Sequence, residues 1–153
     1  MSGVVFTSLM KYSPCIGAVA IFLAMMSTPA NRAPSALAAL AAISTNSGKS
    51  FSEPVEIAST GSSGHVGVSL IDKHSYVVSW MESDKDGTYA VNLRARTVDG
   101  QLGRVRTIGR TSVARNVPQM ILVGDKLIFA WTDEMSDLNK VVSVEVPILG
   151  FYD

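Results

Sequence analysis

Two short, largely apolar runs separated by polar residues between positions 66 and 80 predict two β-strands joined by a tight polar turn. The first strand is Val66–Ile71, the turn contains Asp72–His74, and the second strand ends at Trp80. The same pattern recurs without a gap 51 positions later, in Val117–Trp131. A period of about 40 to 50 residues that holds several short strands is typical of propeller-like arrays. The sequence therefore predicts an all-β chain built from repeats.

The match between the two repeats extends past both tryptophans. In the gapless alignment of the two repeats, Glu82 corresponds to Asp133, Ala90-Val91 to Val141-Val142, and Leu93 to Val144. The third strands of the repeats are thus expected to keep the same 51-residue spacing.

The second strand of the first repeat has two apolar faces. Tyr76, Val78 and Trp80 lie on one face, and Val77 and Ser79 lie on the other. An antiparallel strand with two apolar faces must be covered by other sheets on both sides, as in a propeller blade. A two-layer sandwich ranks second, because it would leave a polar face on most strands.

The predicted strands form a partial propeller with two clear blades, at about residues 65–108 and 116–147. The strands are expected at 65–71, 76–80, 89–98 and 105–108 in the first blade, and at 117–122, 126–132 and 140–146 in the second. Residues 109–115 are expected to cross between the blades. The second blade lacks a fourth strand, unless Phe151-Tyr152 contributes a short one. Three arginines, Arg104, Arg106 and Arg110, are expected on an exposed outer edge.

Residues 1–43 have two interpretations. Lys11 precedes an uncharged apolar run, Cys15–Met26, which suits a secretory signal peptide followed by a linker. The alternative is an incomplete N-terminal blade with strands at 18–26 and 36–43. A signal peptide would make the protein secreted or periplasmic, whereas a strand would leave it cytoplasmic. The apolar run is too short for a stable membrane span, which needs about 20 residues.

The segment Ser44–Phe51 has the spacing of the Asp-box, S-x-D-x-G-x-x-W. Asn46 stands in place of the Asp, Gly48 is present, and Phe51 replaces the Trp. In such a box the Ser and Asp side chains bond to the backbone of a hairpin turn, and glycine supplies a conformation that other residues avoid. Its usual role is structural. Residues 44–153 are therefore predicted to hold the propeller blades.

Charge and composition exclude several classes of protein. The formal net charge is zero, which argues against a nucleic-acid binder with a broad basic face. The single cysteine, Cys15, lacks the partners of a disulfide or zinc site. The acidic cluster Asp133, Glu134 and Asp137 lacks the glycine-bearing loop of a calcium site. No metal or cofactor is predicted.

Taken together, the box and the strand ends resemble the C-terminal half of bacterial sialidase-like proteins. The residues that carry the resemblance are Ser44–Phe51, Glu53–Ile57, Val77–Glu82 and Phe129–Asp133. The resemblance implies a six-bladed propeller, of which this chain would supply only part. It therefore implies a truncated or split reading frame, or a chain that completes its fold by self-association or with a partner, and it makes a glycan the ligand class to consider.

The resemblance carries over no catalytic residue. Sialidases clamp the substrate carboxylate with three arginines, use a Tyr activated by a Glu as nucleophile, and use an Asp as acid/base catalyst. The family's opening arginine signature is absent, and no tyrosine of this chain has the context of the nucleophile. Trp80 and Trp131 could stack on sugars, but their equivalent strand positions predict core packing.

Candidate ligand-binding residues remain at the ends of the predicted strands. They are His65, Arg115 and Asn116 at the starts of inner strands, and Glu82, Asp84, Asp133 and Glu134 just after the tryptophans. Arg115 is the leading one, because an arginine there could meet a ligand carboxylate. Two functional hypotheses follow. The chain is part of a glycan-related, sialidase-like protein without a complete catalytic set, or it is a non-catalytic binding or scaffold module.

Overall fold

The computed structural model describes residues 5–10, 20–27, 37–46, 48–58, 62–112, 118–135 and 138–152. These residues form strands and turns and contain no helix, so none of them forms a helix able to cross a membrane. The described strands are β1 Val5–Met10, β2 Ala20–Ser27, β3 Leu37–Ser44, β4 Val55–Ala58, β5 Ser62–Leu70, β6 Ser75–Ser83, β7 Tyr89–Thr97, β8 Arg106–Thr111, β9 Gln119–Val123, β10 Lys126–Met135 and β11 Leu138–Pro147. The all-β prediction is confirmed.

The strands belong to three antiparallel sheets in two compact units, Met1–Gly64 and His65–Asp153. The strand orders are β1-β2-β3-β4, β5-β6-β7-β8 and β11-β10-β9. In each sheet the strands that are consecutive in sequence are neighbours in space. This is the arrangement expected from short hairpin connections.

The first sheet is centred on β3, where Ala38–Ile43 are all buried. β3 pairs with β2 through Ala20↔Ser44 and with β4 through Ala41↔Val55. β2 and β3 lie where the strand interpretation of residues 1–43 expects them. No strand was predicted at β1, which pairs with β2. Cys15 lies outside the described residues.

The second and third sheets pack face to face and enclose one apolar core. The inner face of the second sheet contributes Val77, Leu93 and Ala95, and the third sheet contributes Leu127, Phe129, Trp131 and Val146. The predicted core position of both tryptophans is confirmed, since Trp80 is 2% and Trp131 4% exposed. The ring of Trp131 lies against Gly109, where an added Cβ would stand 2.7 Å from it. The crossing predicted to begin at residue 109 begins after Thr111, because β8 continues to pair with β7 up to that residue.

The register of the third strands corrects the gapless repeat. Met81 is opposite Val91 in the second sheet, whereas the equivalent Thr132 is opposite Val141 in the third. The equivalent of Val91 is therefore Val141, not Val142, because the hairpin between β10 and β11 is one residue shorter. By the same shift, the residue equivalent to Leu93 is Ser143, not Val144. A shift of one residue exchanges the two faces of a strand.

The C-terminal segment after β11 is a turn, so Phe151-Tyr152, which the sequence left open as a short fourth strand, does not form one. Phe151 is 3% exposed and belongs to the core between the two sheets. Arg106 donates a hydrogen bond to the carbonyl of Gly150, and its guanidinium lies 4.8 Å from the centre of the Phe151 ring. Arg106 was expected on an exposed edge. It is instead half-buried, because it fixes this turn against β8.

Candidate functional site

Several strand ends meet at one end of the second unit. β6 ends where β7 begins, with Ser83 opposite Tyr89, and Tyr89 is in turn opposite Thr111 at the end of β8. The end of β10 joins them, since Thr111 donates a hydrogen bond to Asp133. We call this region the carboxylate end, defined by Glu82, Asp84, Asp86, Arg110, Thr111 and Asp133. The structure thus brings together three of the acidic residues that the sequence singled out.

Glu82 is held by a chain of hydrogen bonds across three strands. Its Oε2 accepts from Asn92 Nδ2 at 2.9 Å and from Trp80 Nε1 at 3.4 Å. Asn92 is 4% exposed, and its Oδ1 accepts from Thr107 Oγ1 at 2.7 Å. These bonds satisfy the polar atoms of a buried asparagine and a buried indole. Glu82 therefore helps to hold β6, β7 and β8 together.

Asp133 is the repeat equivalent of Glu82, but it makes different contacts. It accepts a hydrogen bond from Thr111 Oγ1 at 3.0 Å and one from the backbone N–H of Ser112 at 3.4 Å. Thr111 is 2% exposed, so this bond satisfies a buried hydroxyl and ties the second sheet to the third. The Nε1 of Trp131 has no hydrogen-bond partner among the described residues. Both repeats thus contain a tryptophan followed two residues later by a carboxylate. Glu82 accepts a hydrogen bond from the indole of Trp80, whereas Asp133 accepts from Thr111 and Ser112 instead.

The hairpin loop between β6 and β7 is organised by two aspartates. Asp84 forms an ion pair with Arg110 and accepts from the backbone N–H of Lys85 at 2.7 Å. Asp86 accepts from the N–H and the hydroxyl of Thr88, at 2.9 and 2.6 Å. These contacts lower the pKa of both carboxyls, chiefly through Arg110 for Asp84 and through Thr88 for Asp86. Asp86 and the ion pair between Asp84 and Arg110 are accessible to solvent and carry charge at this end.

Of the other candidate binding residues, two lie in described strands. Arg115 and Asn116 lie outside the described residues, and so does Asp137. His65 lies in β5 and Glu134 in β10. Within the described part of the chain, no group of three or more His, Cys, Asp or Glu residues could hold a metal ion.

The turn at Ser44–Phe51 has its own hydrogen-bond pattern. Ser44 Oγ accepts from the N–H of Gly48 at 2.8 Å, and Asn46 Oδ1 accepts from the N–H of Ser50 at 2.9 Å. Ser44 also donates to Asn46 Oδ1 at 3.0 Å, and Gly48 has a φ of 84°. Phe51 is partly buried. The turn links β3 to β4, so its side chains stabilise a hairpin connection.

Sequence reasoning missed the residues that give the carboxylate end its structure. Asn92, Thr107 and Thr111 were not singled out from the sequence. The available signal was the position of Asn92, which alternation places on the same face as Trp80 once the hairpin register is known. An asparagine opposite a core tryptophan must find hydrogen-bond partners.

No family model, curated protein or solved structure matches this chain.

Proposed function

We propose that this chain is a non-catalytic binding or scaffold module. The proposal rests on the hydrogen bonds that the candidate carboxylates, Glu82 and Asp133, accept from neighbouring residues. Glu82 accepts bonds from Trp80 and Asn92, and Asp133 accepts from Thr111 and Ser112. Their partners are buried or at strand ends, so these carboxylates hold neighbouring strands in place.

We propose further that the sheets are blades of a sialidase-like propeller whose complete assembly contains more sheets. The support comes from two four-stranded sheets with consecutive strand order and from the repeat that relates the second sheet to the third. The hydrogen-bonded turn from Ser44 to Ser50 adds support, because it joins a third strand to a fourth, as the Asp-box does. The additional sheets would come from a second copy or from a partner.

Catalysis is tested with a fluorogenic sialoside. We expect the purified chain to release no fluorophore above the rate without protein. Glu82→Gln and Asp133→Asn should be equally inactive. Turnover by the wild-type chain that either substitution abolishes would refute the non-catalytic proposal.

Glycan binding is the second candidate function. The exposed ion pair between Asp84 and Arg110 favours the carboxylate end as the binding site. The guanidinium of Arg110 can donate hydrogen bonds to a sugar carboxylate in place of the carboxylate of Asp84. Titration calorimetry with free sialic acid tests this directly. Arg110→Lys should weaken binding, because an ammonium cannot make the paired contact. Lys85→Arg, in the same loop, is the matched control, and equal binding by all three proteins would exclude this site.

A further inference from the structure

Three arginines lie together where β7 meets the segment that leads to β8. Arg94 and Arg96 are both on β7, and alternation places them on the same face of that strand. Leu102 is opposite Arg96, so Arg104 comes beside Arg94 on the neighbouring segment. The Nε of Arg94 donates a hydrogen bond to the carbonyl of Gly103 at 2.7 Å, which holds the residue that follows it in place. We call Arg94, Arg96 and Arg104 the arginine cluster.

Two members of the cluster carry a positive charge for which the described residues provide no carboxylate. Arg96 Nη1 donates to the hydroxyl of Tyr76 at 3.2 Å, and its buried Nε has no hydrogen-bond partner among the described residues. Arg104 is exposed and forms no ion pair within the described part of the chain. Asp99 is the acidic residue of this hairpin, but it accepts from Thr97, which alternation places on the other face. Like charges on neighbouring strands destabilise a sheet, so an anion on this face would stabilise it.

The guanidinium of Arg96 extends from the core to the surface. Its partner Tyr76 is fully buried, whereas its Nη2 lies beside the exposed turn at Gly100, 3.7 Å from the position of an added Cβ. Leu102, opposite Arg96, is 36% exposed. This face therefore presents guanidinium donors and one apolar side chain next to each other.

We propose that Arg96 and Arg104 bind a phosphate group, either free or in a small monoester, and that Arg94 positions Arg104. A phosphate ester carries about 1.5 to 2 negative charges at pH 7 and three strong acceptor oxygens. The planar fork of a guanidinium matches two such oxygens at once. The cluster lies at the opposite end of β7 from the carboxylate end. The inference therefore goes beyond the proposed function and uses none of the residues of that end.

Titration calorimetry of the full chain at low ionic strength tests the site with inorganic phosphate, phenyl phosphate and acetate. We expect a Kd for phosphate of about 1 mM or lower, and weaker binding of acetate, which has a single charge and two oxygens. Tighter binding of phenyl phosphate would identify an ester whose organic group contacts Leu102, whereas equal binding would identify the free anion. Either result supports the phosphate site.

Two variants that each remove one positive charge locate the site. Arg104→Gln should weaken phosphate binding about tenfold or more, because it removes a charge-assisted contact. Lys140→Gln, at an exposed position of β11, is the matched control and should leave the Kd unchanged. An equal change in both variants would assign the binding to net charge alone and overturn the proposal.

Urea denaturation distinguishes a binding role of Arg104 from a structural one. Without phosphate, Arg104→Gln should unfold at the same or a higher urea concentration than the wild type, because it removes a like charge beside Arg94. Phosphate should raise the midpoint of the wild type and leave that of the variant unchanged, since only a protein that binds the ligand is stabilised by it. A lower midpoint of the variant without phosphate would make Arg104 a structural residue and contradict the proposal.

Two further results would overturn it: no heat of binding in the millimolar range of phosphate, or acetate binding as tightly as phosphate. Failure of the phosphate site leaves the proposed function untouched, because that function is tested by sialoside turnover. Turnover would refute the non-catalytic proposal whatever phosphate does.

Discussion

Replacing Asn92 by alanine tests the cross-strand network at the carboxylate end. The side chain donates to Glu82 at 2.9 Å and accepts from Thr107 at 2.7 Å, and it is 4% exposed. A hydrogen bond to a charged group contributes about 1.5 to 3 kcal/mol and a neutral one about 0.5 to 1.5 kcal/mol. Asn92→Ala should therefore lower the free energy of unfolding by about 2 to 4 kcal/mol. That is a large share of the roughly 5 to 15 kcal/mol of a typical domain.

Urea denaturation followed by tryptophan fluorescence measures this loss. With a slope of about 2 kcal/mol/M, the midpoint should fall by about 1 to 2 M. Ser143→Ala, at an exposed strand position, is the control and should change stability by less than about 0.5 kcal/mol. Asn92→Asp places a second carboxylate beside Glu82, so it should be most destabilising at neutral pH and recover as acid protonates the new group. A change below about 0.5 kcal/mol for Asn92→Ala would refute the role of the network.

Three further predictions concern packing, charge and the unpaired indole. Gly109→Ala should destabilise by about 1 to 3 kcal/mol in urea melts, because the new methyl stands 2.7 Å from the Trp131 ring; an equal loss in the Trp131→Phe background would contradict this. Arg110 lowers the pKa of Asp84, so their pair stabilises the fold above the unfolded-state pKa of about 4 and loses this effect as pH falls through the lower folded-state value. Asp84→Asn should thus lower the urea midpoint slightly at pH 7 but not at pH 2, and an equal decrease at both would contradict it. Trp80→Phe should destabilise more than Trp131→Phe, because the indole of Trp80 donates a hydrogen bond to Glu82, whereas that of Trp131 has no partner among the described residues; a larger loss of stability for Trp131→Phe would contradict this.

The sequence predicted the strands and the core because both depend on local patterns. Short apolar runs after a polar turn located β6 and β10, and both tryptophans that end these runs were correctly expected to be buried. The register of β11 could not be read in the same way, because it depends on a hairpin that is one residue shorter. The role of Arg106 could not be predicted from the sequence either, because its contact with Gly150 joins residues that are 44 positions apart. Such contacts follow from how two sheets pack, which one-dimensional patterns do not specify.

The candidate site was predicted in outline only. The sequence singled out acidic residues after each tryptophan, and the structure places Glu82 and Asp133 at one end of the second unit. Their partners could not be foreseen, because hydrogen bonds across strands depend on the register. Arg115, the leading binding candidate, lies outside the described residues, so its role stays a prediction.

The differences between the second and third sheets predict unequal local stability. β6 is buried on both faces from Ser75 to Met81 and lies between two other strands. Among the described strands β11 pairs with β10 alone, and Val141 in β11 is exposed. Amides open more readily where few apolar contacts and fewer flanking strands hold them. Hydrogen exchange by mass spectrometry should therefore show the slowest exchange in β6 and faster exchange in β11, with β7 close to β6 because it too is an interior strand. If β11 exchanged as slowly as β6 in the isolated chain, the prediction that these two strands differ in local stability would be wrong.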